Sequence, residues 1–403
     1  MRKNFTGLKY KLMWKAGILF SMDSCPQIGT FALPLIRTSK MKLKEITDHL
    51  ESIAPLAYQE SYDNAGLICG NSDMEIKAAL ICLDSTEGVL DEAIERGCNL
   101  VIAHHPIVFS GLKKFNGKNY VERVIMKAIR NDIAIYASHT NLDNVHSGVN
   151  AKIAEKIGLK NCRVLSAQKN KLKKLITFCP EDKAEGLRTA LFSAGAGKIG
   201  NYDECSFNTN GTGTFKAGES SDPYVGKKGE QHQEKEIRIE ILFPAYLESK
   251  ILSALIKAHP YEEVAFDIIS LDNLNQEVGS GLIGDLDEMD EMEFLKQIKT
   301  VMKAESLRFT TLKGKKVKKV AVCGGSGSFL LSDAIRAGAD VFVTADFKYH
   351  QFFDAENQIV IADIGHYESE QYTSELFYEI LKKKFSTFAL HLSKINTNPI
   401  NYL

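Results

Sequence analysis

Apolar positions recur along this chain at two different periods, and the order in which the periods alternate predicts its architecture. Leu43, Ile46 and Leu50 stand at helical spacing and predict a first helix soon after Met41. Short apolar runs and helical patterns then take turns: a strand at 78–83, a helix around 88–96, a strand at 100–103, a helix around 120–131 and a strand at 133–137. The rhythm returns towards the end of the chain, with strands at 317–322, 341–344 and 358–362 and helices around 330–338 and 369–383. Alternation of this kind is that of βαβ units, which predicts an α/β fold with largely parallel sheets and helices on their faces.

Between these blocks the texture changes. Strand-like 174–179, a helix at 183–194, a Gly- and Ser-rich stretch at 195–230, strand-like 236–243, a helix at 247–258 and strand-like 264–271 predict an inserted ferredoxin-like α+β module. Residues 206–233 are expected to form a long hairpin or a mobile loop. The expected organisation is a divided α/β domain, its halves at 41–165 and 276–403, interrupted by the module at 166–275.

Composition narrows the class. With 44% hydrophobic and 25% charged residues over 403 positions, the chain is expected to fold as two or three domains. Its 50 Lys+Arg against 51 Asp+Glu leave a formal charge of -1, so no global field is present to hold nucleic acid or an anionic membrane. The expected partner is a small-molecule substrate or ligand. Residues 1–40 differ in kind, because seven bases (Arg2, Lys3, Lys9, Lys11, Lys15, Arg37, Lys40) against Asp23 give +6 and leave -7 for the rest. Their apolar runs are too short for a signal peptide or a spanning helix, so a disordered extension or an upstream start is expected there. The eight cysteines are scattered without a C-x-x-C pair, which predicts buried thiols in a cytoplasmic protein.

The candidate chemistry stands at strand ends, where ligands gather in α/β sheets. Asp84 follows the first run. His104 and His105 follow the second and precede Pro106, which stiffens the turn so that both imidazoles can face one cavity. His139 and Asp143 follow the third, in a loop that Thr140 and Asn141 can anchor. His366 and Glu370, four apart at the start of a helix, share a face, whereas Glu368 points elsewhere and suits a supporting or helix-start role. A cluster of three histidines and two carboxylates, free of thiolate, exceeds what one four-coordinate ion needs. It fits two divalent ions, for which Zn, Fe, Mn, Co and Ni are all acceptable, and it favours hydrolysis. Gly324-Gly325-Ser326-Gly327-Ser328 offers either a phosphate cradle or a tight strand-to-helix turn. Lys348 and His350, in the following polar segment, would bind substrate or satisfy loop carbonyls.

Six motifs taken in order resemble the Nif-three-like family, whose members are named type 2 homologues of GTP cyclohydrolase I. They are Ser61-Tyr62-Asp63-Asn64-Ala65-Gly66-Leu67, Ala103-His104-His105-Pro106, Ser138-His139-Thr140-Asn141-Leu142-Asp143, Gly324-Gly325-Ser326-Gly327, Thr344-Ala345-Asp346-Phe347-Lys348-Tyr349-His350 and Asp363-Ile364-Gly365-His366-Tyr367-Glu368-Ser369-Glu370. The resemblance implies a dinuclear metal site with His104, His105, Asp143, His366 and Glu370 as ligands and Glu370 as the bridge. His139 would then stand beside the site for proton transfer. The stretch His259-Pro260-Tyr261-Glu262-Glu263-Val264 resembles the PII-like or CutA-like module of longer family members and implies a regulatory or assembly role. A toroidal homohexamer with metal sites facing an internal cavity is also implied. GTP ring opening needs attack by an activated water and readout of guanine, and the sequence offers the first without identifying the second. The expectation is a metal-dependent hydrolase of a nucleotide-like or phosphate-bearing small molecule. A non-enzymatic metal-binding or regulatory protein and a protein-interaction scaffold are the alternatives.

Overall fold

Strands that are apolar on both faces sit at the centre of two sheets in the computed structural model, which describes residues 41–403. The extension expected at 1–40 lies outside the described residues. In the first sheet the order is Ala389–Leu392, Ala78–Asp84, Leu100–His105, Ala134–Ala137, Gly66–Cys69. Its first three pairings are parallel, and the last is antiparallel. Helices Glu87–Glu95 and Tyr120–Arg130 cover one face as crossovers. Each starts at a side-chain cap: Val89 N–H donates to the Thr86 hydroxyl oxygen and Glu122 N–H to Asn119 Oδ1.

The second sheet has the order Arg308–Phe309, Val360–Asp363, Val341–Ala345, Lys316–Ser326, Asn275–Asp290, Lys160–Gln168. Only the three strands from Val360–Asp363 to Lys316–Ser326 are parallel, so the expectation of largely parallel sheets is corrected here. The reason lies in the interruption of the chain. Lys160–Gln168 leads into the inserted segment and Asn275–Asp290 returns from it, so the two pair side by side as an antiparallel stem. The halves also exchange strands, because Lys160–Gln168 joins the later sheet and Ala389–Leu392 joins the earlier one. One apolar core, with Leu43, Ile81, Ile102, Phe294, Val322 and Phe377, runs between them.

The inserted segment contains strand Leu172–Pro180, helix Ala184–Ala194, strands Phe207–Lys216 and Gln231–Pro244, helix Glu248–Ala258 and strand Phe266–Leu271. The strands form one antiparallel sheet in the order Phe266–Leu271, Leu172–Pro180, Gln231–Pro244, Phe207–Lys216. Leu175, Ile239, Ile241 and Phe243 on one face pack with Leu187, Leu191, Ile251 and Leu255 of the helices. Phe207–Lys216 of the Gly-rich stretch is therefore strand, its backbone bonded along the edge of the sheet. A second expectation changes at the C-terminal helix, which is broken into His366–Glu370 and Thr373–Lys384. At the break, Gln371 Nε2 donates to Met302 O and the Tyr372 hydroxyl to Val301 O. Among the described residues no helix is long and apolar enough to cross a membrane.

Candidate metal centre

Each histidine of the cluster has one ring nitrogen anchored by the protein, which aims the other inward. His104, at the end of Leu100–His105 and fully buried, places Nδ1 2.9 Å from Ser138 O. His105 Nδ1 lies 2.7 Å from Asp84 Oδ1, His366 Nδ1 2.7 Å from Asp346 Oδ2 and His139 Nδ1 2.8 Å from Asp63 Oδ1. Anchors of this kind fix the tautomer and raise the basicity of the free Nε2, as they do around metal-bound imidazoles. Asp346 adopts the left-handed φ of 59° to reach His366, a local cost that the surrounding fold sustains.

The inward atoms fall into groups. His104, Asp143 and Glu370 form one, His105, His366 and Glu370 a second, and His104, His105 and His139 a third, and each could hold a metal ion. In the first, His104 Nε2 lies 3.6 Å from Asp143 Oδ1 and 3.7 Å from Glu370 Oε1. Those separations are too long for hydrogen bonds. Both His104 Nε2 and Asp143 Oδ1 are buried without a hydrogen-bond partner. Ligands about 2.1 Å from a tetrahedral ion stand roughly 3.4 Å apart, so the gap suits a cation. In the second group, Glu370 Oε2 is 2.9 Å from His105 Nε2 and 3.1 Å from His366 Nε2, which are 3.4 Å from each other. Glu370 thus offers one oxygen to each group.

Electrostatics agree with that reading. Burial and the Glu370 charge push the Asp143 carboxyl well up. Burial would also raise Glu370, but His104, His105 and His366 around it hold its carboxyl well below the usual range. Burial opposes charge on His105 and His366 and is outweighed by Asp84 with Glu370 and by Asp346 with Glu370, so they rise to about 9 and about 11. In His104 burial wins and the value falls. The metal-free cluster is therefore balanced by protons, which a cation would displace. Burial, helped by Asp143 and Glu370, pushes up the Cys323 thiol beside it, which stays protonated.

The strand ends carry these groups because the loops after them are locked. Asn141 Oδ1 accepts from His139 N–H at 2.9 Å, and its Nδ2 donates to Ala54 O at 2.7 Å. Asn150 joins the two halves, donating to Asp143 O and accepting from Gly324 N–H. The Gly-rich turn resolves as a close approach. Gly325 has φ 59°, and a Cβ there would overlap the Glu370 carboxylate, with His366 Cε1 at 3.2 Å. The N–H groups of Gly324 and Gly325 already donate to Asn150 and to the Ser369 hydroxyl oxygen, so neither is left for a phosphate.

A cavity of about 720 Å³ opens over the cluster, walled by Tyr62, Phe109, Tyr120, Phe329 and Tyr367. Among the described residues no lysine or arginine lines it, so Lys348 stands apart, as does His350. Sequence reasoning missed the orienting roles of Asp63, Asp84 and Asp346. It also missed the last residues of the chain, where Thr397 donates to Asp84 Oδ2 at 2.5 Å and Asn398 Nδ2 to the buried Glu368 at 3.0 Å. Asn396-Thr397-Asn398-Pro399 carries no periodicity that would have marked it as a cavity wall.

Comparisons with known proteins follow the same outline. The family model described as Duf34/NIF3 (NGG1p interacting factor 3) matches residues 41–399. A protein of Halalkalibacterium halodurans named GTP cyclohydrolase 1 type 2 homolog is 39% identical over 359 residues, covering 88% of this chain and 96% of its own. One of the same name from Bacillus subtilis is 38% identical over 89% of this chain and 98% of its own. The crystal structure of a Bacillus cereus protein related to NIF3 superposes with a TM-score of 0.79 at 38% identity, over 91% of this chain and all of that one.

Proposed function

The chain belongs to the Duf34/NIF3 family, and from that premise we propose that it is a metal-dependent hydrolase holding two divalent ions and acting on a nucleotide-like or phosphate-bearing small molecule. The observation that carries the proposal is the pair of groups that share Glu370, one of them with buried, unpartnered His104 Nε2 and Asp143 Oδ1. His104, Asp143 and Glu370 would hold one ion, and His105, His366 and Glu370 the other. Nitrogen and oxygen donors without thiolate suit Zn, Fe, Mn, Co or Ni. Such ions, when bound, supply Lewis acidity to water and to a substrate oxygen.

The chain's own residues do the rest. Asp63 fixes His139 through Nδ1, leaving Nε2 for a proton at the cavity wall. The aromatic walls suit a planar substrate body and exclude water from one side. Because among the described residues no lysine or arginine lines the cavity, a phosphate would draw most of its positive partner from the ions. GTP cyclohydrolase-like activity is consistent with the names of the relatives.

Supporting a ferredoxin-like, PII/CutA-like reading of the insert is its βαββαβ order, with both helices on one face of an antiparallel sheet. We place the domain borders near 165 and 275, and we expect a cytoplasmic homo-oligomer, a hexamer by family resemblance. One observation favours the alternative of a non-enzymatic metal-binding or regulatory protein: the insert contains a cavity of its own.

The first test is metal content per chain by elemental mass spectrometry on untagged protein, beside Asp143→Ala and Glu370→Ala. About two ions in the parent and clear loss in both variants would support the dinuclear site. A parent that stays metal-free after reconstitution would refute it. Turnover across a nucleotide panel, lost in Glu370→Ala, then separates hydrolase from regulator.

A further inference from the structure

The stretch His259-Pro260-Tyr261-Glu262-Glu263 takes no part in the metal cluster, yet its side chains are fixed as closely as those of a site. His259 Nε2 donates to Phe178 O at 2.9 Å, and its Nδ1 accepts from Tyr261 N–H at 3.1 Å, which settles the tautomer. Its ring lies 5.0 Å from that of Tyr261. The Tyr261 hydroxyl donates to Glu236 Oε1 at 2.8 Å, and Glu262 Oε1 accepts from Asp222 N–H at 2.8 Å, tying down the loop between two strands.

These contacts build one wall of a cavity of about 670 Å³ on the sheet face away from the helices. Phe178, Phe215, Tyr224 and Tyr261 line it, with Tyr261 centred 6.4 Å from Phe215 and 6.2 Å from Tyr224. Gly211 and Gly213 open its floor, because strand Phe207–Lys216 carries no side chain where the Glu236 carboxylate crosses it. A Cβ at Gly213 would lie 2.6 Å from Glu236 Cδ.

Glu236 is the feature that calls for a ligand. It is 9% exposed, and among the described residues its Oε2 has no hydrogen-bond partner and no cation pairs with it. Arg238, which also lines the cavity, is engaged by Glu240 at 3.0 Å. A carboxylate held this deep, with one neutral hydroxyl for company, lacks the positive partner that buried charges ordinarily have. Lys216 and Arg238 face three acids in the lining, Glu236, Glu262 and Glu263.

We propose that this cavity is a binding site for a small organic cation, an ammonium group on an apolar or aromatic body, with the ammonium against Glu236 Oε2 and the aromatic rings around it. The site is separate from the metal centre and does not depend on the reading of that centre.

Isothermal titration of the full chain with three probes of one shape and different charge tests it: phenethylammonium, phenethyl alcohol and phenylacetate. The cation should bind, the alcohol at least ~10-fold more weakly, and phenylacetate without measurable heat. Glu236→Gln, which keeps an acceptor for Tyr261, should weaken the cation at least ~10-fold and leave the alcohol within about 2-fold. Phe215→Leu should weaken the cation about 3-fold or more through loss of one ring, and it decides the matter if Glu236→Gln does not fold. Asp143→Ala should leave all three unchanged. The proposal is overturned if the cation gives no binding at about 10 mM, or if either other probe matches it. It is equally overturned if the folded variants of Glu236 or Phe215 bind the cation like the parent, or if Asp143→Ala alone abolishes binding.

Discussion

Replacing Gly325 by alanine tests the metal centre without removing a single candidate ligand. The added methyl would overlap the Glu370 carboxylate and stand 3.2 Å from His366 Cε1, where ordinary carbon contacts are about 3.5–4.0 Å. The carboxylate must therefore retreat by something near 1 Å, out of the position in which its oxygens serve two groups. The backbone adds its own cost, because φ of 59° suits glycine and costs alanine about 1 kcal/mol. Gly325→Ala should thus lower the stability of the metal-free protein by about 1–2 kcal/mol. It should weaken metal binding by roughly 10–100-fold, the range seen when a metal-supporting residue is disturbed. Urea denaturation of chelator-treated protein measures the first and competition with a chromogenic chelator the second. A variant that keeps parental metal affinity would refute the claim that Glu370 is held at the centre by the absence of a side chain at position 325.

Four further outcomes follow from the same geometry. Metal binding near neutral pH should release protons, since His105 and His366 are raised to about 9 and about 11; titration calorimetry in buffers of different ionisation enthalpy counts them, and zero release would contradict the proton-balanced cluster. Because both folded values lie above the unfolded histidine value of about 6.5, the stability they contribute without metal is complete below about pH 6.5 and is lost as pH rises through 9 and then 11. Chelated protein should therefore melt at a lower temperature at about pH 9.5 than at about pH 7, a trend that metal reverses. Asp63→Asn removes a buried carboxylate that accepts from His139 Nδ1, Thr140 N–H and the Thr140 hydroxyl, so it should cost about 2–4 kcal/mol in urea denaturation; a loss below about 0.5 kcal/mol would show that the contact is not structural. Finally, chelation should weaken nucleotide binding at the cavity, because among the described residues no lysine or arginine lines it and its histidines alone carry less positive charge than two divalent ions; GTP affinity unchanged by chelation would place the nucleotide elsewhere.

Much of the molecule was legible because the information was local. The runs at 78–83, 100–103 and 341–344 are strands in the structure, since apolar stretches this short between helical patterns can be buried on both faces only inside a sheet. His104 and His105, Asp143, and His366 with Glu370 were named from their places after such runs, and the structure brings all five into one cluster, with His104 buried behind the other four, which line the cavity. His139 joins them closely enough to form a group with His104 and His105. The largely parallel pairing failed in the second sheet, where direction depends on how the chain leaves and re-enters around an insert. The unbroken last helix failed at Gln371 and Tyr372, whose side chains bond the end of a distant helix.

The sequence by itself determined which residue types stand at the ends of which strands, because that follows from hydrophobic period and turn chemistry within a few neighbours. Only the tertiary structure decided who holds them in place. Asp63 reaches His139 across 76 positions, and Thr397 reaches Asp84 across 313. Glu370 meets His105 across 265. Contacts at those separations leave no period in the chain; they exist because packing two sheets on one core brings remote backbone together, and a burial that excludes water then forces every polar group there to find a partner.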